Sequence, residues 1–193
     1  MEKKSKTINR CQISGAKDLK TIISLGFLPP VNKMQKVGSK KEETTFFPVE
    51  LMYSKFSKLV QLNNLVDKNI LFPKEYPYTS STTKILRENF KELYEECSRL
   101  ISLESDDLII DIGSNDGNLL NNFKKNHKVL GVTPENIGRI AIKKGINTLI
   151  KYFDTKTSKY IFKKFGKAKI VTATNVFAHI ENVRDLMNNI LRV

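Results

Sequence analysis

The chain has 193 residues, 40% of them hydrophobic, with 11 phenylalanines and a formal net charge of +13. That length supports one medium domain with a small appendage and a real core. No stretch approaches the ~18 uncharged apolar residues of a membrane-spanning helix, and the start "MEKKSKTINRCQISG" lacks the apolar segment of a secretory signal.

The only cysteines, Cys11 and Cys97, are too few for a disulfide framework or, by themselves, a four-thiolate zinc site. A reduced, cytoplasmic protein is expected. The lysines are spread along the chain, as in "FKKNHK", "AIKKGIN" and "IFKKFGKAK", and read as solvated helix faces. None forms a basic run interleaved with aromatics, so no nucleic-acid partner is expected. An anionic small substrate such as a nucleotide diphosphate suits the same positive field.

Residues 1–70 read as a small, irregular, β-rich domain. "LGFLPPVNKM" argues against long helices, and "TTFFPVELMYSKFSKLVQL" has the β-branched and aromatic content of short strands. Residues 71–104 comprise a loop and a connecting helix. The loop, "FPKEYPYTSSTT", is punctuated by proline and carries Tyr76 and Tyr78. The segment that follows, "KILRENFKELYEECSRLISL", places Ile85, Leu86, Phe90, Leu93, Tyr94, Cys97 and Leu100 on one helical face. Cys97 is thereby a core thiol.

From residue 105 onward, strands and helices alternate. Strands are expected at 108–112, "KVLGV", "NTLI" and "AKIVTATN". Helices are expected at 117–126, "ENIGRIAIKKG" (closed by Gly145), "TSKYIFKKFG" and "VRDLMNNILRV". Such alternation with short turns predicts an α/β fold with a parallel, doubly wound sheet. Ligands on such sheets lie outside the carboxyl ends of the strands. That rim holds Gly113 to Gly117, Thr133 to Glu135, and Asn175 to His179.

The turn in "LIIDIGSNDGNLL" decides which ligand to expect. It lacks the second glycine of the dinucleotide fingerprint and both the spacing and the lysine of a P-loop. What remains is Asp111 at a strand end and two glycines four apart. Gly113 permits the sharp turn and lets a ligand lie against backbone. Asp111 can meet a cation, with Ser114, Asn115 and Asp116 as acceptors around it and Gly117 closing the turn. S-adenosylmethionine carries an ammonium and a sulfonium and no phosphate. An ordinary strand–turn–helix with no ligand also satisfies the spacing.

The motif "DIGSNDG", together with "LGFLPPVN", "KLVQL", "EYPYTSST", "GVTPEN", "KKGINT" and "NVFAHI" following one another in the family's order, resembles bacterial sugar C-methyltransferases from about Cys11 to the last residue. The resemblance implies a Rossmann-like class I methyltransferase sheet, here its first four parallel strands. It also implies S-adenosylmethionine as cofactor and a nucleotide-linked keto-deoxysugar as substrate. Relatives are about twice as long, so the expectation is a truncated chain that lacks three further strands and a Glu-His pair. A missing C-terminal half or a second chain is then a candidate partner.

Relatives carry two C-x-x-C pairs in a zinc-binding N-terminal domain. Here those positions read Cys11/Ser14 and Ser54/Ser57, so no zinc is expected. Phe46, Phe47 and Phe56 are the alternative means of holding that domain together. At the end of the second strand, relatives place an acid on the adenosine ribose. Here the residue is Thr133, with Glu135 two positions on as a substitute or as a helix-starting acid.

Methylation beside a ketone needs a base near neutrality and a donor to the enolate oxygen. The resemblance implies His179 as base, Tyr76 (first) and Tyr78 as phenol donors, and Ser80 and Ser81 as contacts to sugar or diphosphate. Asn175 stands on the cofactor rim. Asn89 occupies the place of a histidine in relatives, and His127 reads as a solvent-facing helix-end residue. The alternatives are a catalytically inactive remnant that binds cofactor or a partner, and an O- or N-methyltransferase.

Overall fold

A computed structural model of the protein describes residues 4–32, 37–40, 43–75 and 78–193. The chain divides into two compact units, Met1–Pro73 and Lys74–Val193.

The first unit is β-rich. Strand β1 (Ser5–Thr7) pairs antiparallel with β5 (Asn64–Val66), while β2 (Leu19–Leu28), β3 (Phe47–Ser54) and β4 (Val60–Leu62) form an antiparallel sheet in that order. The "LGFL" segment lies in β2, where Gly26, at φ 75°, sits in a register shift between Ser24 and Phe27. A short helix, α1 (Lys68–Leu71), starts on the Asp67 carboxylate, which accepts from the Asn69 N–H at 2.7 Å. The expected trio of phenylalanines does not hold this unit together. Phe47 is buried, but Phe46 and Phe56 are 54% and 79% exposed. Phe47 is the first residue of β3, and Phe56 sits exposed in the tight turn that follows the strand.

In the second unit, β6 (Leu108–Ile112), β7 (Lys128–Thr133), β8 (Thr148–Ile150) and β9 (Ile170–Thr172) form a parallel sheet in the order β8-β7-β6-β9. Strand β6 is central and reads as an unbroken apolar run because both of its faces are covered. Ile109 packs with Phe90, Leu119, Leu120, Phe123, Ala141 and Ile146, contributed mostly by α2 (Lys84–Leu100), α3 (Leu120–Phe123) and α4 (Gly138–Lys143). Leu108, Ile110 and Ile112 pack on the other side with Ile161 of α5 (Thr155–Phe165) and Leu186 of α6 (Val183–Arg192). Each fully buried aliphatic side chain contributes about 1.5–3 kcal/mol.

Helices α5 and α6 begin on side-chain caps. Asp154 accepts from the Thr157 N–H at 2.7 Å, and Asn182 accepts from the Asp185 N–H at 3.1 Å. Gly145, at φ 74°, closes α4 as expected, with the Ile146 N–H reaching back to the Ala141 carbonyl at 3.0 Å.

Some details differ from the sequence reading. The helix expected over 117–126 is α-helical only from Leu120 to Phe123. Within that stretch, Asn122 Nδ2 donates to the neighbouring Asn118 carbonyl at 3.3 Å, an alternative to regular helix. On α2, Ile85 and Leu100 are exposed, and Ile101 and Leu103 pack against the core in addition to Leu86, Leu93, Tyr94 and Cys97. His127 is half-buried rather than solvent-facing; its Nδ1 lies 2.9 Å from the Glu104 carbonyl and its ring tilts against Phe123. Among the described residues, no helix is long and apolar enough to cross a membrane.

Candidate functional site at the carboxyl rim of the parallel sheet

Strand register sets the centre of the site. Asp111 lies on β6, opposite Gly131 of β7 on one side and Thr172 of β9 on the other. The alternation that buries Ile109 on the α2/α3 face turns the Asp111 side chain the same way. It is 3% exposed, and the Thr172 hydroxyl donates to its Oδ1 at 2.7 Å. Burial raises the Asp111 carboxyl from 3.8 to about 7, with the Thr172 hydrogen bond pulling the other way. An acid held in this state has its strongest use for a cation, which would restore its charge.

The turn after β6 is set by backbone. The Gly113 N–H donates to the Val132 carbonyl at 2.7 Å, and the Gly117 N–H donates to the Ser114 carbonyl at 2.8 Å. Gly113 and Gly117 adopt φ 74° and 78°, and Asn115 adopts φ 51°. At Gly113 an added Cβ would stand 2.2 Å from Val176 Cγ2, so the segment after β9 lies directly over the turn. The Ser114 hydroxyl is buried with no hydrogen-bond partner among the described residues, pressed toward Gly131.

Asp116 points inward and is 1% exposed. Ser80 Oγ donates to its Oδ1 at 2.6 Å, Ser81 Oγ donates to Oδ2, and Lys144 Nζ stands 3.1 Å from Oδ2. Burial works against this carboxylate, but those donors outweigh it and hold it below its ordinary value. The same seam continues in Asn115, whose Oδ1 accepts from the Ser80 N–H at 2.9 Å and whose Nδ2 donates to the Tyr78 carbonyl at 3.0 Å. Asn118 Nδ2 donates to the Ser80 carbonyl at 3.2 Å. The sequence reading gave Asp116 to a ligand and Ser80 and Ser81 to a substrate. In the structure these groups bond one another and fasten the loop before α2 to the turn after β6.

At the end of β7, Thr133 and Glu135 are both buried, and the Thr133 hydroxyl donates to Glu135 Oε2. The acid two residues past the strand is thereby brought back to the strand end. Asn136 next to it fixes the loop from the other side: its N–H donates to the Lys74 carbonyl at 2.9 Å and its Nδ2 to Glu75 Oε1 at 2.5 Å. Asn175 is exposed at φ 56°, and His179 is exposed in a 3-10 helix (Phe177–His179) on the same rim. Tyr78 is exposed; Tyr76 lies outside the described residues. Asn89 is exposed on α2.

The sequence reading missed Thr172, Lys144 and Val176. Strand order carries the signal for the first, because β9 beside β6 puts its last residue against Asp111. Lys144 follows from the position of the last turn of α4. Nothing in the sequence announces Val176.

Residues 84–193 match a family model described as "Methyltransferase domain", and residues 11–72 match one described as "Putative zinc binding domain". The C-methyltransferase NovU of Streptomyces niveus is 25% identical over 185 residues, which cover 95% of this chain and 44% of NovU. The chain thus spans less than half the length of that relative. The first match takes in more than half of the chain and the whole parallel sheet: the chain belongs to the methyltransferase domain family.

Proposed function

We propose that this chain is the N-terminal half of an S-adenosylmethionine-dependent C-methyltransferase acting on a nucleotide-linked keto-deoxysugar. The observation that carries the reading is Asp111, a buried carboxyl at the end of the central strand, next to a glycine turn and raised to about 7 by burial.

The donor set fits the cofactor. Asp111 suits its ammonium, and the Thr133–Glu135 pair offers a carboxylate to a ribose diol. When bound, S-adenosylmethionine supplies a methyl group on a sulfonium. His179 is the candidate base for the proton on carbon next to a ketone, and Tyr76 and Tyr78 are candidate donors to the enolate oxygen. The loop that carries them is fastened to the cofactor turn through Asp116, so Ser80 and Ser81 act as anchors of the substrate loop. C-methyl transfer is also what the name of NovU describes, and the positive field of the chain suits an anionic nucleotide sugar.

The test is calorimetric titration of the full chain with S-adenosylmethionine, with Asp111→Asn as control. Saturable binding in the parent chain, weakened at least tenfold in the variant, is the expected result. No binding by a folded parent chain overturns the cofactor assignment. Binding without methyl transfer to any keto sugar nucleotide, once the chain is supplied with the C-terminal half of a relative, points to the inactive-remnant reading.

A further inference from the structure

The segment matching the zinc-binding model contains two turns that are copies of each other. In the first, the Cys11 N–H donates to the Ala16 carbonyl at 2.9 Å and the Gly15 N–H to the Cys11 carbonyl at 2.8 Å. The Ser14 N–H donates to Cys11 Sγ at 3.4 Å, and the Ala16 N–H to Ser14 Oγ at 3.2 Å. In the second, the Ser54 N–H donates to the Leu59 carbonyl and the Lys58 N–H to the Ser54 carbonyl, both at 2.9 Å. The Ser57 N–H donates to Ser54 Oγ at 3.2 Å, and the Leu59 N–H to Ser57 Oγ at 3.3 Å. The fifth residue of each turn is left-handed, Gly15 at φ 75° and Lys58 at φ 61°. The two turns share four hydrogen bonds at the same offsets, and they face each other through Cys11 Sγ and Ser57 Oγ, 3.1 Å apart.

This is a scaffold for four ligands at its first and fourth positions, but the donors do not suit zinc. Tetrahedral zinc is held by thiolate, imidazole or carboxylate. Here the four positions offer one thiol and three hydroxyls. Two ligand atoms on a tetrahedral zinc with bonds of roughly 2.0–2.3 Å stand about 3.3–3.8 Å apart. The direct Cys11–Ser57 contact is shorter than that edge and is a hydrogen bond in its own right. Among the described residues, no cluster of three or more His, Cys, Asp or Glu is placed to hold a metal.

A carboxylate from outside the four positions completes the arrangement. Asp18 accepts from Ser54 Oγ at 2.9 and 3.0 Å through its two oxygens, and from the Phe56 N–H at 2.7 Å. It lies just beyond the first turn and grips the second, which is the cross-link that a metal ion would make. We propose that Cys11–Leu59 forms a metal-free double knuckle, in which the Cys11–Ser57 contact and the Asp18 carboxylate together replace the ion, while the backbone keeps metal-site geometry. The unit then folds independently of zinc supply.

The proposal is tested on the full chain. Chain produced in zinc-supplemented medium and desalted is expected to carry well under one equivalent of zinc, and its melting temperature to be unchanged by chelator. About one equivalent of zinc per chain, with destabilisation on its removal, overturns the proposal. Retained geometry is tested by returning the thiols, as Ser14→Cys, Ser54→Cys and Ser57→Cys together under reducing conditions, and adding Co(II). The tetrahedral tetrathiolate spectrum is expected; a folded triple variant that gives none overturns the geometric half. Asp18→Ala is expected to increase protease cleavage of the parent's first unit at least tenfold, and to have far less effect in the cobalt-loaded triple variant. Equal sensitivity in both backgrounds shows that Asp18 does not stand in for the ion and overturns that role.

Discussion

Replacing Asp111 with asparagine keeps the volume of the side chain and removes its titration. In the unfolded chain Asp111 ionises near 3.8; in the fold it holds its proton up to about 7. Between those values the folded state binds the extra proton, so stability falls as pH rises. The contribution is fully present below 3.8 and is lost by the time pH passes about 7. For a wholly buried group a displacement of this size is worth on the order of 4 kcal/mol, an upper figure because the fold can relax around the charge. Urea denaturation at pH 5 and pH 8 measures it. The parent chain is expected to lose up to about 2.5 kcal/mol relative to Asp111→Asn across that interval, the share of the displacement that lies above pH 5. A cationic cofactor reverses the sign: its ammonium favours the ionised acid, so binding at pH 6 releases close to one proton, measurable by calorimetry in two buffers of different ionisation heat. Parallel pH profiles for parent and variant refute the reasoning, because they mean Asp111 ionises in the fold as it does in the unfolded chain.

Asp116→Asn is expected to cost about 2–3 kcal/mol by stripping charge-assisted bonds from Ser80, Ser81 and Lys144, with proteolysis appearing first in the loop around Tyr78–Thr83. Because that carboxylate sits below its ordinary value, its stabilising share is lost as pH falls toward and below 3.8, opposite in slope to Asp111. Gly113→Ala is expected to cost about 2–3 kcal/mol from its left-handed backbone and the collision with Val176; adding Val176→Ala recovers the collision part only, and full recovery in a double-mutant cycle contradicts the backbone share. Lys58→Gly relieves a left-handed lysine and is expected to raise stability by up to about 1 kcal/mol in thermal melts.

Much of the second unit was legible because its physics is local. Apolar runs at Leu108–Ile112 and Lys128–Thr133, and turns marked by glycine, define parallel strands whatever their neighbours do. The rim followed from topology alone. The roles of individual rim residues did not, because they depend on which polar groups meet across the sheet. Asp116 and Asp111 are five positions apart in the sequence, yet one ends in a nest of donors and the other beside a single threonine hydroxyl. Nor did composition reveal what holds the first unit together. The aromatic trio was the obvious candidate, whereas the structure uses short polar side chains whose value lies in geometry that a sequence does not display.

The Asp116 seam bears on any attempt to change what the loop before α2 recognises. Ser80 and Ser81 look like free positions for randomisation, being small, polar and beside the tyrosines. Each is instead bonded to Asp116 in the turn after β6, so a library that varies them selects for folding first. Diversity is better placed at Lys74 and Thr79, with Glu75, the two tyrosines, the two serines, Asn115 and Asp116 held constant. Under the proposed function, acceptor choice then varies while the turn after β6 keeps its shape.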